Sequence, residues 1–253
     1  MRYRLLRNAT AILEYGSVTF LIDPALDAAG ARPPVNNTPN QQPNPLVEMP
    51  AGWESHVSAA DRVLQTHLHR DHFDDGAVST LATHLPIYTQ PDDVATFAER
   101  GFMDIRGIDA SADVDGITIT RVPAQHGTGE IAALMAPVSG YVLRADSEPT
   151  LYLASDTIWY DEVARVIAQY APDVIVVNAG GARFLVGDPI VMTAADIAAV
   201  HAAAPAATII IQHLEAINHC LETRAYYRAE LPQLGVDMTR ILIPEDGELL
   251  TLV

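Results

Sequence analysis

The chain has 253 residues, 49% of them hydrophobic and 19% charged, which is ample for one large core. Its 32 acidic and 15 basic residues give a formal charge of −17, and all the basic residues are arginine. Without lysine there is no Schiff-base chemistry, no pyridoxal phosphate anchor and no phosphate-loop lysine. The negative charge argues against nucleic acid or anionic membrane as partners. The single cysteine, Cys220, forbids an internal disulfide and points to a reducing compartment. No apolar run reaches the roughly 18 residues needed to span a bilayer. The first ten residues carry arginines and no continuous apolar stretch. The expectation is a single cytoplasmic domain over residues 1–253, with a homo-oligomer allowed.

In chain order, Thr10 to Tyr15 and Ser17 to Ile22 read as a strand pair around Gly16. Asp23-Pro24 ends the second strand. From Ala25 to Pro50 the chain turns rich in proline and asparagine, and PPVNNTPNQQPNP excludes helix and interior strand. So long a loop is uncommon in a compact domain, and this one is read as a flap beside a site. Arg62 to Gln65 reads as a strand, Gly76 to Thr83 as a helix, Ile87 to Thr89 as a buried strand and Asp92 to Arg100 as a helix behind Pro91. Ile117 to Val122, Ser139 to Arg144 and Thr150 to Ala154 read as strands. Tyr160 to Tyr170 is an amphipathic helix, and Asp173 to Asn178 a fully buried strand. Ala194 to Ala204 is a helix capped by Thr193. Thr208 to Gln212 is another buried strand, and Glu222 to Glu230 a helix. Arg240 to Ile243 and Glu248 to Leu252 close the chain. Strands in both halves with helices between them predict stacked sheets covered by helices.

The chemistry concentrates in Gln65-Thr66-His67-Leu68-His69-Arg70-Asp71-His72-Phe73. His67 and His69 are two apart, so an extended chain turns both rings to one side. Asp71 and His72 follow once the chain has turned. Imidazole and carboxylate suit zinc, manganese or iron, and four such groups are too many for one open catalytic ion. Three further candidates, His126, Asp156 and His213, stand just past apolar runs, where open β-structures gather their sites.

This ordered set resembles the metallo-β-lactamase superfamily, over nearly the whole chain. The hairpin ending in Leu-Ile-Asp23-Pro24 resembles the family's opening. The resemblance implies a four-layer αββα sandwich with a dinuclear metal site at one edge. It implies that His67, His69 and His126 hold the first of two divalent ions and Asp71, His72 and His213 the second. Asp156 and a hydroxide then bridge the pair. The ions expected are zinc or manganese, with iron as the third candidate. His69 stands where the flavodiiron-like branch has glutamate. Asp156 is present where true zinc β-lactamases usually lack it, and Cys220 does not match their cysteine ligand. Ser155-Asp156-Thr157 and the Val186-to-Asp196 segment most resemble the L-ascorbate-6-phosphate lactonase-like branch.

The expected function is a metal-dependent hydrolase that uses a metal-held hydroxide on a small ester, lactone or phosphoester. The alternatives are a redox di-iron protein or a non-catalytic metal-binding member of the same fold. Asp71 is the expected proton shuttle. Arg183, in the glycine-bearing stretch Asn178 to Phe184, and His219 are the expected substrate contacts, with an ion-paired arginine and a core histidine as the competing readings. Trp159 and Tyr160 are read as pocket-lining or core. His56, His84 and His201 are assigned to ordinary structure.

Overall fold

The computed structural model describes residues 1–135 and 137–252. In chain order the strands are β1 (Arg2–Arg7), β2 (Thr10–Tyr15), β3 (Val18–Ile22), β4 (Arg62–Leu64), β5 (Ile87–Thr89), β6 (Ile105–Gly107), β7 (Ser111–Val114), β8 (Ile117–Pro123), β9 (Ser139–Arg144), β10 (Leu151–Leu153), β11 (Val174–Asn178), β12 (Thr208–Gln212), β13 (Ile241–Leu242) and β14 (Leu249–Thr251). The helices are α1 (Trp53–Ser58), α2 (Asp75–Thr80), α3 (Val94–Glu99), α4 (Gly129–Leu134), α5 (Asp161–Tyr170), α6 (Ala194–Ala203) and α7 (Arg224–Gln233). One sheet runs β14-β1-β2-β3-β4-β5-β6 and the other β13-β12-β11-β10-β9-β8-β7.

The alternation of side chains along each strand builds the layers. In β2, Ala11, Leu13 and Tyr15 face the space between the sheets, and Ile12 faces the opposite side. In β12, Ile210 faces inward while Ile209 and Ile211 face outward. The outer face of the first sheet packs with Val57 of α1, Ala77 of α2 and Phe97 of α3. The outer face of the second packs with Val163, Ile197 and Tyr227 of α5, α6 and α7. The fold is therefore the αββα sandwich of the metallo-β-lactamase superfamily, as the resemblance implies. Among the described residues no helix is long and apolar enough to cross a membrane.

Long apolar runs were the legible elements. β2 and β3 pair through Tyr15 and Val18 around the two-residue turn Gly16-Ser17. Gly16 has φ +58, which that turn requires. α6 carries the expected Thr193 cap, with Asp196 closing the box. α7 starts two residues later than the pattern predicts, because Thr223 accepts from the Tyr226 amide and sets the first turn. The pattern misses β1, α1, β6, β7 and α4. Charged residues interrupt β1, and its Arg7 is nevertheless buried, donating to the carbonyls of Ala25, Asp27 and Val47. β6 and β7 are short and mostly exposed, and α4 buries none of its residues.

The strand directions place the site. β3, β4, β5 and β6 run parallel, as do β10, β11, β12 and β13. β8 is antiparallel to β9, which is antiparallel to β10, so β8 ends on the same side as β10. The residues just past β3, β4, β8, β10 and β12 therefore meet at one edge of the sandwich.

One buried carboxyl in the turn after β5 gives a clean pH test of packing. Burial pushes Asp93 up to about 6, against a hydrogen bond from Gln90 Nε2 at 3.0 Å. A carboxyl raised in the folded state costs stability above that pH, and the cost fades as the pH falls toward its unfolded value. Asp93→Asn is expected to raise Tm at pH 7.5 by about 2–4 °C, corresponding to roughly 1 kcal/mol after discounting for solvent screening. The gain should vanish near pH 4. A gain of equal size at both pH values in thermal melts rejects this account.

Candidate metal centre

The loop after β4 carries His67, His69, Asp71 and His72. The loop after β8 carries His126, the loop after β10 Asp156, and the loop after β12 His213. The structure brings all seven together in two groups that share Asp156. One is His67, His69, His126 and Asp156; the other is Asp71, His72, Asp156 and His213. Within each group one candidate ligand atom per residue lies within 4.8 Å of the others.

Asp156 is 2% exposed, and its two oxygens divide between the groups. Oδ2 lies 3.4 Å from His126 Nε2 and 3.7 Å from His67 Nε2. Oδ1 lies 3.3 Å from His72 Nε2 and 3.8 Å from His213 Nε2. Asn178 at the end of β11 donates Nδ2 to Oδ1 at 2.7 Å, and Gln212 at the end of β12 donates to Asn178 Oδ1 at 2.8 Å. This chain of amides fixes the carboxylate plane. Asp71 Oδ2 lies 3.1 Å from His213 Nε2 and 4.0 Å from His72 Nε2.

The far nitrogens of four histidines are engaged away from the centre. His72 Nδ1 meets Asp23 Oδ2 at 2.8 Å, and His126 Nδ1 meets the Ile190 carbonyl at 2.7 Å. His67 Nδ1 contacts Thr66 Oγ1 at 3.0 Å, and His213 Nδ1 contacts Cys220 Sγ at 3.4 Å. In each of these four the Nε2 faces the cluster, the arrangement that fixes a ligating tautomer. His72 Nε2 is buried with no hydrogen-bond partner. A buried nitrogen of that kind, 3.3 Å from a carboxylate oxygen and on a ring packed against those of His67 and His213, fits a cation as its natural partner.

The electrostatics agree with that fit. Burial alone would raise Asp156 and Asp71, but His72 and His213 outweigh it and hold both carboxyls well below the usual range. Burial opposes the charge on His72, yet Asp156, Asp23 and Asp71 push it up to about 10. His213 is likewise raised by Asp156, Cys220 and Asp71. His67 and His69 are lowered, mainly by burial. The carboxylates thus demand positive charge at the centre, which protons on two histidines or divalent cations can supply.

Backbone strain concentrates here. Asp23, Ser155 and His213 have φ values of 41, 63 and 68, in the left-handed region that ordinary residues avoid. Asp23 is the residue whose part the sequence did not disclose beyond ending a strand. Besides His72, its oxygens accept from the Thr66 amide at 2.8 Å, Thr66 Oγ1 at 2.7 Å and Gln65 Nε2 at 3.0 Å. One carboxylate therefore orients His72 directly and His67 through Thr66.

A cleft of about 210 Å³ opens over the centre, with His69, Asp71, His126 and Asp156 in its floor. Val35, Ile190, Ile217 and Phe184 supply apolar wall, and His219 borders it. Burial lowers His219 to about 4, leaving it neutral near pH 7. Arg183 does not line the cleft. Its NH2 lies 3.5 Å from Glu222 Oε1 and its Nε donates to the Gly181 carbonyl, so the ion-paired reading describes it. The nearby glycines likewise approach protein rather than ligand space: a Cβ at Gly180 would lie 2.9 Å from the His213 carbonyl and 3.0 Å from Cys220 Cβ. Trp159 and Tyr160 pack on the core under α5. Arg70 is exposed and borders the cleft.

The proline-rich loop does border the cleft, through Arg32, Val35 and Asn44. It joins neither sheet; an isolated bridge between Arg32 and Asn44 and a set of side chains hold it. Asn218 Oδ1 accepts from the Val35 amide at 3.0 Å and Asn44 Nδ2 at 2.7 Å. Asn218 Nδ2 donates to Thr38 Oγ1 at 2.7 Å and the Asn40 carbonyl at 2.6 Å. Leu46 N donates to the Ala216 carbonyl at 2.7 Å.

Two outcomes follow from this geometry. Asp23→Asn places an amide against the His72 and Thr66 donors, and is expected to weaken zinc binding by about 10- to 100-fold. Chelator-competition titration of the folded variant checks it, and wild-type affinity would remove Asp23 from the orienting role. Asn218→Ala strips the loop of its central clamp. It is expected to lower Tm by several degrees, through the roughly 1–3 kcal/mol cost of unpaired buried groups. Metal content should stay at the wild-type level. Loss of metal together with loop stability would show that the clamp and the centre are one unit.

The profile of the Beta-lactamase superfamily domain matches residues 19–214. The UPF0173 protein YddR of Bacillus subtilis is 36% identical over 251 residues, 98% of each chain. A UPF0173 metal-dependent hydrolase of Methylobacterium nodulans is 29% identical over 194 residues, 74% of this chain and 75% of its own. Among solved structures, a possible metal-dependent hydrolase from Veillonella parvula superposes with TM-score 0.95 at 34% identity, over 100% of this chain and 99% of its own. An isothiocyanate hydrolase from Delia radicum gut bacteria superposes with TM-score 0.94 at 34% identity, over the same shares. The β-sandwich, the convergent histidines and these matches agree: the chain belongs to the UPF0173 metal-dependent hydrolases of the metallo-β-lactamase superfamily.

Proposed function

We propose that the chain is a dinuclear hydrolase of small, uncharged carbon electrophiles. The observation that carries this reading is the buried Asp156 carboxylate, with one oxygen toward each histidine group. His67, His69 and His126 would hold one ion and Asp71, His72 and His213 the other, with Asp156 between them. The donor set of imidazoles and carboxylates suits zinc or manganese, with iron as the third candidate. When bound, such a pair supplies Lewis acidity and an acidified water.

The residues themselves divide the remaining work. Both carboxylates line the cleft, but the Asp71 side chain is 16% exposed and that of Asp156 only 2%. Asp71 is therefore the carboxylate that can exchange a proton with substrate. Held ionised by His72 and His213, it starts as a base and can later return the proton to a leaving group. His219 is neutral and placed to contact substrate across the cleft.

The apolar wall of Val35, Ile190, Ile217 and Phe184 favours a neutral substrate. Of the two arginines that border the cleft, Arg32 lies 2.9 Å from Asp27 and donates to the Arg70 carbonyl, and Arg70 is exposed. Isothiocyanates are the first class to try, supported by the whole-chain likeness to an isothiocyanate hydrolase. Water adds to the central carbon, the C–N bond breaks, and the nitrogen leaves protonated as an amine with carbonyl sulfide as co-product. Lactones and esters present the same kind of carbon and form the second class.

Protein loaded with zinc or manganese is expected to bind two equivalents and to release amine from isothiocyanates. Elemental analysis that saturates at one equivalent overturns the dinuclear reading. His69→Ala is expected to cut turnover by more than about 100-fold, beyond the usual effect of losing an orienting partner. Its circular dichroism should be unchanged. A folded His69→Ala variant with full turnover removes that residue from the centre.

A further inference from the structure

An apolar groove lies beside the cleft. Ile131 and Leu134 of α4, Met135, and the run Phe184-Leu185-Val186 line it, with Asn37 at one end. Leu134, Leu185 and Val186 are 80%, 67% and 80% exposed. Among the described residues seven large apolar side chains are exposed, and three of them stand in this one place. Scattered exposed apolar residues need no explanation, but a cluster of them marks a binding surface.

The groove adjoins the cleft, and Met135 and Phe184 line both. Its walls are tied together rather than loose. Gly187 approaches α4 so closely that a Cβ there would meet Ile131 Cδ1 at 2.2 Å. Thr128 Oγ1 donates to Asp188 Oδ2 at 3.1 Å, and the Leu185 amide donates to the Asn37 carbonyl at 2.7 Å. Size points the same way. The cleft, at about 210 Å³, falls short of the roughly 300–1,000 Å³ usual for small-molecule sites. The groove adds about 410 Å³ of almost wholly apolar space and brings the whole into that range.

We infer that the groove is the subsite for the apolar substituent of the substrate. The electrophilic carbon sits over the histidine–aspartate floor, and an alkyl or aryl group runs past Phe184 and Met135 onto Leu134, Leu185 and Val186. The inference rests on the hydrolase reading above and specifies its substrates: a neutral reactive head on an apolar chain or ring, not a sugar or a charged metabolite. The walls shared with the cleft favour a substrate chain over a second protein surface as the occupant.

The test uses metal-loaded full-length protein and n-alkyl isothiocyanates from methyl to hexyl. Each methylene that enters an apolar subsite is worth about two- to fourfold in kcat/KM. Hexyl isothiocyanate is therefore expected to exceed methyl by at least about 30-fold. In the double variant Leu185→Ser, Val186→Ser the hexyl-to-methyl ratio should fall at least about tenfold, since both side chains are exposed and their loss spares the core. Turnover with a flat series, or a slope that survives the double variant, overturns the subsite. The neutral N-alkylformamides of the same lengths give a readout that does not depend on turnover. Their affinity by calorimetry should rise with chain length in the wild type and flatten in the double variant. If no isothiocyanate is hydrolysed while the formamides show that dependence, the reactive head is misassigned and the subsite stands. If the formamides show no length dependence, the subsite is wrong, and a smaller sedimentation mass for the double variant than for the wild type would make the groove a contact between copies.

Discussion

Asp156 is a carboxylate with almost no water around it, facing four imidazole nitrogens at 3.3 to 3.8 Å. A buried carboxylate is tolerable only where positive charge or hydrogen-bond donors surround it. The neighbouring structure meets that requirement. Asn178 and Gln212 hold the carboxylate plane, and β10, β11 and β12 deliver all three residues to one edge because they run parallel and in register. The same requirement explains why strain gathers at Asp23, Ser155 and His213. Each sits at the first turn after a strand, where the chain must bend sharply to aim its own or the next side chain at the cluster.

Much of this edge was legible in the sequence, and for a definite reason. A side chain that must sit just past a strand follows an apolar run, and such runs are what periodicity detects. His67, Asp156 and His213 follow β4, β10 and β12, whose cores are Val63-Leu64, Leu151-Tyr152-Leu153 and Ile209-Ile210-Ile211. The buried strands β11 and β12 read correctly from their apolar runs Val174-Ile175-Val176-Val177 and Ile209-Ile210-Ile211. β1 did not, because its arginines look like a solvated strand, whereas Arg7 is buried and serves carbonyls far along the chain.

Residues that act through partners distant in sequence were the ones that could not be read. Asp23 looks like a turn residue until the fold sets it against His72, 49 positions away. Asn218 is an unremarkable asparagine until it meets the loop 174 to 183 positions earlier. Arg183 shows the converse. Its glycine-rich setting suggested ligand contact, but the glycines make room for His213 and Cys220, and Glu222 takes the guanidinium. Local sequence carries backbone freedom and polarity. It does not say which of several nearby charges will be the partner.

The centre and its surroundings are built by different means, and this bears on substrate choice. The histidine–aspartate floor hangs from strand ends, whose positions are set by ladders spanning seven strands in each sheet. The cleft walls hang from loops fixed by a few contacts: the Arg7 and Asn218 side chains for the proline-rich loop, and the Thr128 hydroxyl and the close approach of Gly187 to Ile131 for the groove beside α4. Changing a wall residue disturbs a handful of hydrogen bonds, whereas moving a floor residue disturbs a sheet. The chemistry is therefore the rigid property of this fold and the shape of the substrate the adjustable one. On that division, a likeness across the whole chain informs about the reaction more securely than about the group that the reaction releases.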